Sequence, residues 1–290
     1  MNPTAAQLVE SARQALAAGE REHAALCLRA AIELAPANLD AHNLREQEKL
    51  PDFMSGWTGV NATISKDDDI FRFFAGHPTS LNPVRDYLAD GWRTLSELMW
   101  LLEVHDLPLA KVSSFLEFAS GFGRFTRHLV KRLPAGALTV SDVVPEAMDF
   151  LPLQFPVQAV RSTHQPDDLA LPAQYQVIFV LSLFSHLPAR TWSRWLAKLW
   201  AATAPGGLLV FSTHGQSCAE RASVPLSADG FAFFGGSEST ALDQAEYGVA
   251  YTSEDYVRNV VRIHAPGAVH TFMQDHFWSQ QDAHILRRPG

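Results

Sequence analysis

From Val112 to Thr213 short apolar runs alternate with helix-patterned segments, and this alternation constrains the fold more than any other feature of the chain. Strand-like runs stand at Ser114–Phe118, Ala137–Val143, Val157–Arg161, Tyr175–Leu181 and Gly207–Thr213. Helical patterning fills Gly123–Arg132, Pro145–Phe150 and Ala189–Ala202. Such a succession predicts βαβ units and a mostly parallel sheet. Two late runs, Ala268–His276 and Asp282–Leu286, flank turn-like Trp278–Gln281 and read as a closing hairpin. Gln216–Tyr251 reads as a loop-rich insert before a helix near Thr252. There Thr252 and Asp255 have the spacing of a capping box.

The N-terminal segment has a different texture. Ala5–Ala18 and Arg21–Leu34 predict two helices, broken by Gly19 and stopped by Pro36. Their small and large residues, the turn glycine and the trailing proline resemble one tetratricopeptide repeat. A lone repeat cannot bury its own faces. The expectation is packing on the main domain, on a protein partner or on a second copy through residues 1–48. Leu50–Pro83 reads as irregular, with Asp67–Asp69 and the aromatic cluster Phe71, Phe73 and Phe74. Pro83–His105 predicts a long helix with a broad apolar stripe. Three divisions follow: a helical extension over 1–48, a linker and helical lid over 49–110, and a main domain over 111–290.

Bulk properties exclude several functions. Apolar residues make up 47% of the chain, enough for a large core. A net charge of −8 without a basic block argues against nucleic-acid binding. No run of about 20 apolar residues predicts a membrane span, and the first ten residues lack a signal-peptide core. Only Cys27 and Cys218 are present. No disulfide framework or metal site is expected, and a cytoplasmic protein is the default.

The chemistry concentrates in Phe115-Leu-Glu-Phe-Ala-Ser-Gly-Phe-Gly-Arg124, entered by a strand and left by a helix. Ala119, Gly121 and Gly123 let the backbone turn sharply and approach a ligand closely. Asp142, 19 residues beyond Gly123 at the end of the next strand, suits ribose hydroxyls. A nicotinamide dinucleotide would bring a pyrophosphate, which a nearby Glu117 would repel. The third glycine that it favours is replaced by Thr126. S-adenosylmethionine brings cationic amino and sulfonium groups, which a carboxylate attracts.

The chain resembles class I S-adenosylmethionine-dependent methyltransferases. Glu117–Gly123 resembles their first motif, with Ala119 in place of its first glycine. Val140–Glu146 resembles the ribose-binding motif, Tyr175–Pro188 the fourth-strand motif, and Trp200–Phe211 the helix-turn-strand that follows. The resemblance covers about Val112 to Thr213. It implies a Rossmann-like α/β fold: a seven-stranded, mostly parallel sheet flanked by helices, its last strand antiparallel. It also implies that Glu117, Phe118, Ala119, Ser120, Gly121, Gly123, Asp142 and Val143 bind S-adenosyl-L-methionine. The family's acid near adenine has Ser162, Asp167 or Asp168 as its counterpart here.

Leu181 and Ser182 end the fourth strand, on the edge of a parallel sheet that faces ligands, and they join the cofactor set. The segment before the first strand often covers the cofactor in this family, which adds Tyr87. His186 and His214 follow strand ends on the same edge, and either could remove a proton from an acceptor. The expected acceptor is a small or carbohydrate-like molecule, held by the aromatic insert 218–251. The competing readings are a nicotinamide-dependent oxidoreductase and a non-catalytic S-adenosylmethionine-binding interaction protein.

Overall fold

The computed structural model describes residues 2–236, 243 and 245–290. The chain divides into two compact units, Met1–Trp92 and Arg93–Gly290.

The first unit is helical. Helix α1 (Ala5–Ala17) opens with a capping box in which the Thr4 hydroxyl and the Gln7 side chain bond each other's backbone N–H groups. Gly19, at φ +79°, turns the chain into α2 (Arg21–Leu34). Small buried residues line the seam: Ala12 and Ala15 from α1, and Ala24, Leu28 and Ala31 from α2. Helix α3 (Leu39–Gln47) follows, capped by the Asn38 side chain. The segment expected to be irregular holds two short helices, α4 (Met54–Thr58) and α5 (Asp69–Gly76). Each has a carboxylate at its start, a feature that hydrophobic periodicity does not reveal. Glu46 accepts from the N–H groups of Met54 and Ser55 and from the Ser55 hydroxyl. Asp68 accepts from Phe71 N at 3.0 Å. Helix α6 (Pro83–Val104) contains the division between the units.

The second unit has a sheet of seven strands among the described residues, in the order β3-β2-β1-β4-β5-β9-β8. Strand β1 (Phe115–Phe118) leads to α7 (Thr126–Leu129), β2 (Leu138–Asp142), α8 (Pro145–Gln154), β3 (Gln158–Arg161) and β4 (Tyr175–Val180). Then come α9 (Ala189–Ala202), β5 (Thr203–Thr213) and α10 (Gln216–Arg221). A two-stranded hairpin, β6 (Phe231–Gly235) and β7 (Gly248–Thr252), precedes α11 (Glu254–His264), β8 (Val269–Phe277) and β9 (Gln281–Arg287).

Pairings among β1 to β5 are parallel. Strand β9 runs antiparallel between β5 and β8, which completes the expected Rossmann-like arrangement. Alternate residues feed two cores. Phe115, Val177, Phe179, Leu208 and Val210 point to one face. Leu116, Phe118, Ile178, Val180, Leu209 and Phe211 point to the other. Burial on both faces explains the apolar runs Val177–Val180 and Leu208–Phe211.

Three local expectations change. The helix expected over Gly123–Arg132 contracts to α7, because His128, Lys131 and Arg132 bond three residues back rather than four. The insert expected to be loop-rich contains α10 and the β6–β7 hairpin, although residues 237–242 and 244 of it lie outside the described residues. The cap of α11 is Ser253, whose hydroxyl accepts from Tyr256 N at 3.1 Å. Thr252 ends β7 instead.

Candidate functional site

The loop after β1 crosses the carboxyl end of β2. Ala119, Gly121 and Gly123 take left-handed φ values of +60°, +53° and +84°. Ser120 N donates to Ser141 O at 3.1 Å. Gly121 N donates to Asp142 Oδ2 at 2.8 Å, and Val144 N to Asp142 Oδ1 at 2.9 Å. One carboxylate thus ties two strand-end loops together. Ser162, the residue directly after β3, donates its N–H to Asp142 O at 2.8 Å. Asp167 instead pairs with Arg194 on α9 at 2.5 Å. Of the three residues weighed for adenine, Ser162 is the one joined to the Asp142 strand end.

The two glycines serve different ends. A Cβ at Gly123 would meet Leu151 Cδ2 at 2.7 Å and Phe155 Cε2 at 3.0 Å, so this glycine lets the loop press onto α8. A Cβ at Gly121 would meet nothing within 4 Å. The Gly121 backbone therefore borders open space beside the Asp142 carboxylate.

Glu117 is buried beneath this loop and accepts from the Thr126 hydroxyl at 2.7 Å. Burial pushes its carboxyl up to about 8, and nearby Asp142 adds to this, while Thr126 and Arg127 act against it. At neutral pH Glu117 is therefore mostly the neutral acid. The charge expected from sequence appears only when something draws the proton away. Arg127 is fully buried, with Nε donating to Gly123 O at 2.9 Å and its guanidinium 5.5 Å from the Phe155 ring centre. Arg124 lies over the Trp278 ring at 5.1 Å. Sequence reasoning passed over both arginines, although Arg127 stands four residues after Gly123, in reach of its carbonyl.

Other expected residues are distributed as follows. The Phe118 ring packs on Trp195 of α9, which leaves its backbone to the loop. Ser120 is buried, Val143 is half-buried, and Leu181 packs on the first core. Ser182 sits at φ +59° at the end of β4. Tyr87, in the first unit, is fully buried against Phe71 and Phe74 and donates its hydroxyl to Asp68.

The two histidines come together under the hairpin. Backbone bonds fasten β7 to the strand ends: Gly248 N to His186 O at 2.9 Å, Ala250 N to Ser185 O at 2.7 Å, and Thr252 N to His214 O at 2.9 Å. The rings of His186 and His214 lie 6.0 Å apart. His186 stacks on Tyr247 at 4.7 Å and donates from Nδ1 to Gly248 O at 2.6 Å. His214 lies 5.4 Å from the Tyr251 ring. Gln281 from β9 reaches His214 Nε2 at 3.3 Å, and Asp282 packs so closely on Gly215 that any Cβ there would overlap it. Burial raises Asp282 to about 6. Gln281 and Asp282 carry no recognisable motif, and only the antiparallel return of β9 brings them to this edge.

Residues 116–209 match the family model described as a methyltransferase domain. Among curated proteins none matches the chain. The chain is similar in structure to an S-adenosylmethionine-dependent methyltransferase from Clostridium acetobutylicum ATCC 824, at 10% identity and TM-score 0.49, covering 69% of this chain and 92% of that one. It is also similar to the N-methyltransferase NodS from Bradyrhizobium japonicum WM9, at 14% identity and TM-score 0.47, covering 78% and 100%. A third is the 1,6-didemethyltoxoflavin-N1-methyltransferase of Burkholderia thailandensis, at 15% identity and TM-score 0.48, covering 77% and 88%.

Among the described residues no His, Cys, Asp and Glu group could hold a metal ion, and no helix is long and apolar enough to cross a membrane.

Proposed function

We propose that the chain transfers a methyl group from S-adenosylmethionine to a small, uncharged acceptor, which includes carbohydrate-like molecules. The observation that carries this reading is the Asp142 carboxylate, bonded to Gly121 N and Val144 N, beside the open space at Gly121. A carboxylate has about four lone-pair sites. Two of those on Asp142 accept the backbone, and the others suit ribose hydroxyls. Glu117 and the backbone of Phe118–Gly123 and Val143 complete the cofactor set, with Leu181 and Ser182 at the neighbouring strand end. Glu117 fits a cationic amino group: a nearby positive charge favours its ionised form and offsets the burial that now keeps it neutral.

When bound, the cofactor supplies an electrophilic methyl group, whose carbon–sulfur electron pair returns to sulfur as the acceptor's pair bonds the carbon. The protein's task is to position the acceptor and, for an acceptor bearing hydrogen, to receive its proton. His214 is the base in this reading, and His186, fixed by Gly248 and Tyr247, is its wall. Tyr247 stacks on His186 and Tyr251 lies beside His214, aromatic neighbours that suit a small uncharged acceptor.

Calorimetric titration with S-adenosylhomocysteine, with NAD+ in parallel, tests the reading. Micromolar binding of the first alone, weakened in Asp142→Ala, is expected. Binding of NAD+ alone would replace this reading with the oxidoreductase one.

A further inference from the structure

Away from the strand-end loops, a hollow of about 240 Å³ opens between α11 and β8. Arg258 and Arg262, one helical turn apart, line it together with His270, while the small residues Ala265, Gly267 and Ala268 keep it open. No carboxylate lines it among the described residues. Arg258 pairs with Glu254 along the helix surface. Arg262 makes no ion pair or hydrogen bond among the described residues. Glu254 therefore answers one guanidinium of two, and positive charge is left over on a chain whose net charge is −8. Like charges four residues apart on a helix repel, and an anion between them removes that cost. The negative end of α11 opposes an anion with only about half an elementary charge, less than the two guanidinium charges that favour it.

The third polar group of the hollow leads into the core. His270 Nε2 lies 3.1 Å from His284 Nδ1, and His284 Nε2 lies 3.2 Å from the Thr213 hydroxyl. His284 is buried and stacked on Phe211. Burial holds its ring well below the ordinary range, so it is neutral and carries one N–H. His270 Nδ1 has no partner among the described residues and is not sealed inside the protein.

This chain of three groups admits two complete hydrogen-bond sets. In the first, His270 Nε2–H donates to His284 Nδ1, and His284 Nε2–H donates to the Thr213 oxygen. His270 Nδ1 is then a bare lone pair, which suits the nearby Arg258 charge. In the second, the Thr213 hydroxyl donates to His284 Nε2, and His284 Nδ1–H donates to His270 Nε2. His270 then presents Nδ1–H as a donor. Each group holds one mobile proton in both sets, so exchange between them adds none and removes none.

We propose that the hollow binds a small free phosphate-type oxyanion between Arg258 and Arg262, with His270 Nδ1–H as a third donor, and that occupancy moves the His270–His284–Thr213 chain to the second set. Guanidinium forks match phosphate oxygens, and three donors from separate side chains suit a tetrahedral anion better than a flat carboxylate. His270 itself titrates near 4, lowered by burial and by Arg258. At pH 8 the neutral exchange of sets is therefore the cheaper response to the anion than protonating the ring.

Nitrogen NMR of the full chain labelled at histidine tests this at pH 8. Inorganic phosphate is titrated against sodium chloride of equal ionic strength. The His270 and His284 signals are those absent from His270→Asn and His284→Gln. Phosphate is expected to move both rings saturably to the Nδ1–H tautomer, and chloride to leave them unmoved. Arg262→Gln, an exposed substitution, should raise the phosphate midpoint at least about tenfold. Equal responses to phosphate and chloride, or a midpoint unchanged in Arg262→Gln, would overturn the proposal. A shift of His270 with His284 unmoved would mark an adventitious ion only and overturn it too. Retention of the chain on vesicles of phosphatidylcholine and phosphatidic acid, with both rings indifferent to phosphate, would give the hollow to a lipid headgroup instead. Should His284→Gln not fold, the His270 tautomer and its loss of response in Arg262→Gln decide whether the anion binds, and the remaining buried signal that moves with it reads the chain.

Discussion

Gly121 donates its backbone N–H to Asp142 Oδ2 at 2.8 Å, so the loop after β1 and the end of β2 are held as one piece before any ligand arrives. A hydrogen bond to a charged acceptor contributes about 1.5–3 kcal/mol. Asp142→Ala removes two such acceptor positions, because Val144 N also relies on this side chain. The expected result is a stability loss of about 2–4 kcal/mol by urea denaturation and a loss of S-adenosylhomocysteine affinity of at least about tenfold. Asp142→Asn keeps one accepting oxygen and should lose about half the stability while still losing affinity. Full affinity in Asp142→Asn would remove Asp142 from the ribose site.

Glu117 makes the fold pH-dependent in an unusual direction. Its carboxyl titrates near 8 in the folded chain against an ordinary value of 4.5. Between those values the folded chain holds a proton that the unfolded chain has lost, so stability falls as pH rises through that window. Asp282, raised from 3.8 to about 6, adds a smaller fall of the same sign. Glu117→Gln removes the larger part. It should match the wild type near pH 4.5 and exceed it at pH 9 by as much as about 4 kcal/mol. Denaturation at pH 5, 7 and 9 checks this, and equal slopes in the two proteins would refute it.

The parts of the molecule legible in the sequence are those set by local pattern. Strands β4 and β5 announce themselves through the apolar runs Val177–Val180 and Leu208–Phe211, which burial on both faces demands. Helix α9 reads to the residue, as does α2. The glycine loop and Asp142 are legible because their spacing is covalent. What escaped depends on contacts between distant segments. Gln281 means nothing until β9 turns back beside β5 and brings it to His214. Helices α4 and α5 owe their starts to Glu46 and Asp68, single carboxylates that no periodicity records. Glu117 was legible as an acid beside the loop, but its neutral state comes from burial, which a sequence does not display.

Two glycine substitutions separate packing from ligand approach. A left-handed residue with a Cβ costs about 1–2 kcal/mol, so both Gly121→Ala and Gly123→Ala carry that strain. Gly123→Ala also drives a methyl group into Leu151 on α8 and Phe155 just after it. Its total cost should reach about 2–4 kcal/mol. Gly121→Ala meets no protein atom. It should cost no more than the backbone strain, yet weaken S-adenosylhomocysteine binding at least about tenfold, because the methyl group fills the space the ligand would use. Thermal denaturation and calorimetry on the same samples compare the two. An undiminished affinity in Gly121→Ala would place the ligand elsewhere.

Tyr87 offers a contrast inside the first unit. Its ring is fully buried against Phe71 and Phe74, and its hydroxyl donates to Asp68 Oδ2 at 2.5 Å while Asp68 Oδ1 caps α5. The hydroxyl thus supports the carboxylate that starts a helix. Tyr87→Phe keeps the ring and removes only that donor. It should cost about 1–3 kcal/mol, the range for a buried bond to a charged partner. Asp68→Ala should cost more, because it takes away the Tyr87 partner and the cap together, the latter contributing about 1 kcal/mol. The double substitution should cost little more than Asp68→Ala alone, since the tyrosine's effect runs through Asp68. A double-mutant cycle by urea denaturation measures this coupling. Additive losses would show that the Tyr87 hydroxyl acts on something other than Asp68.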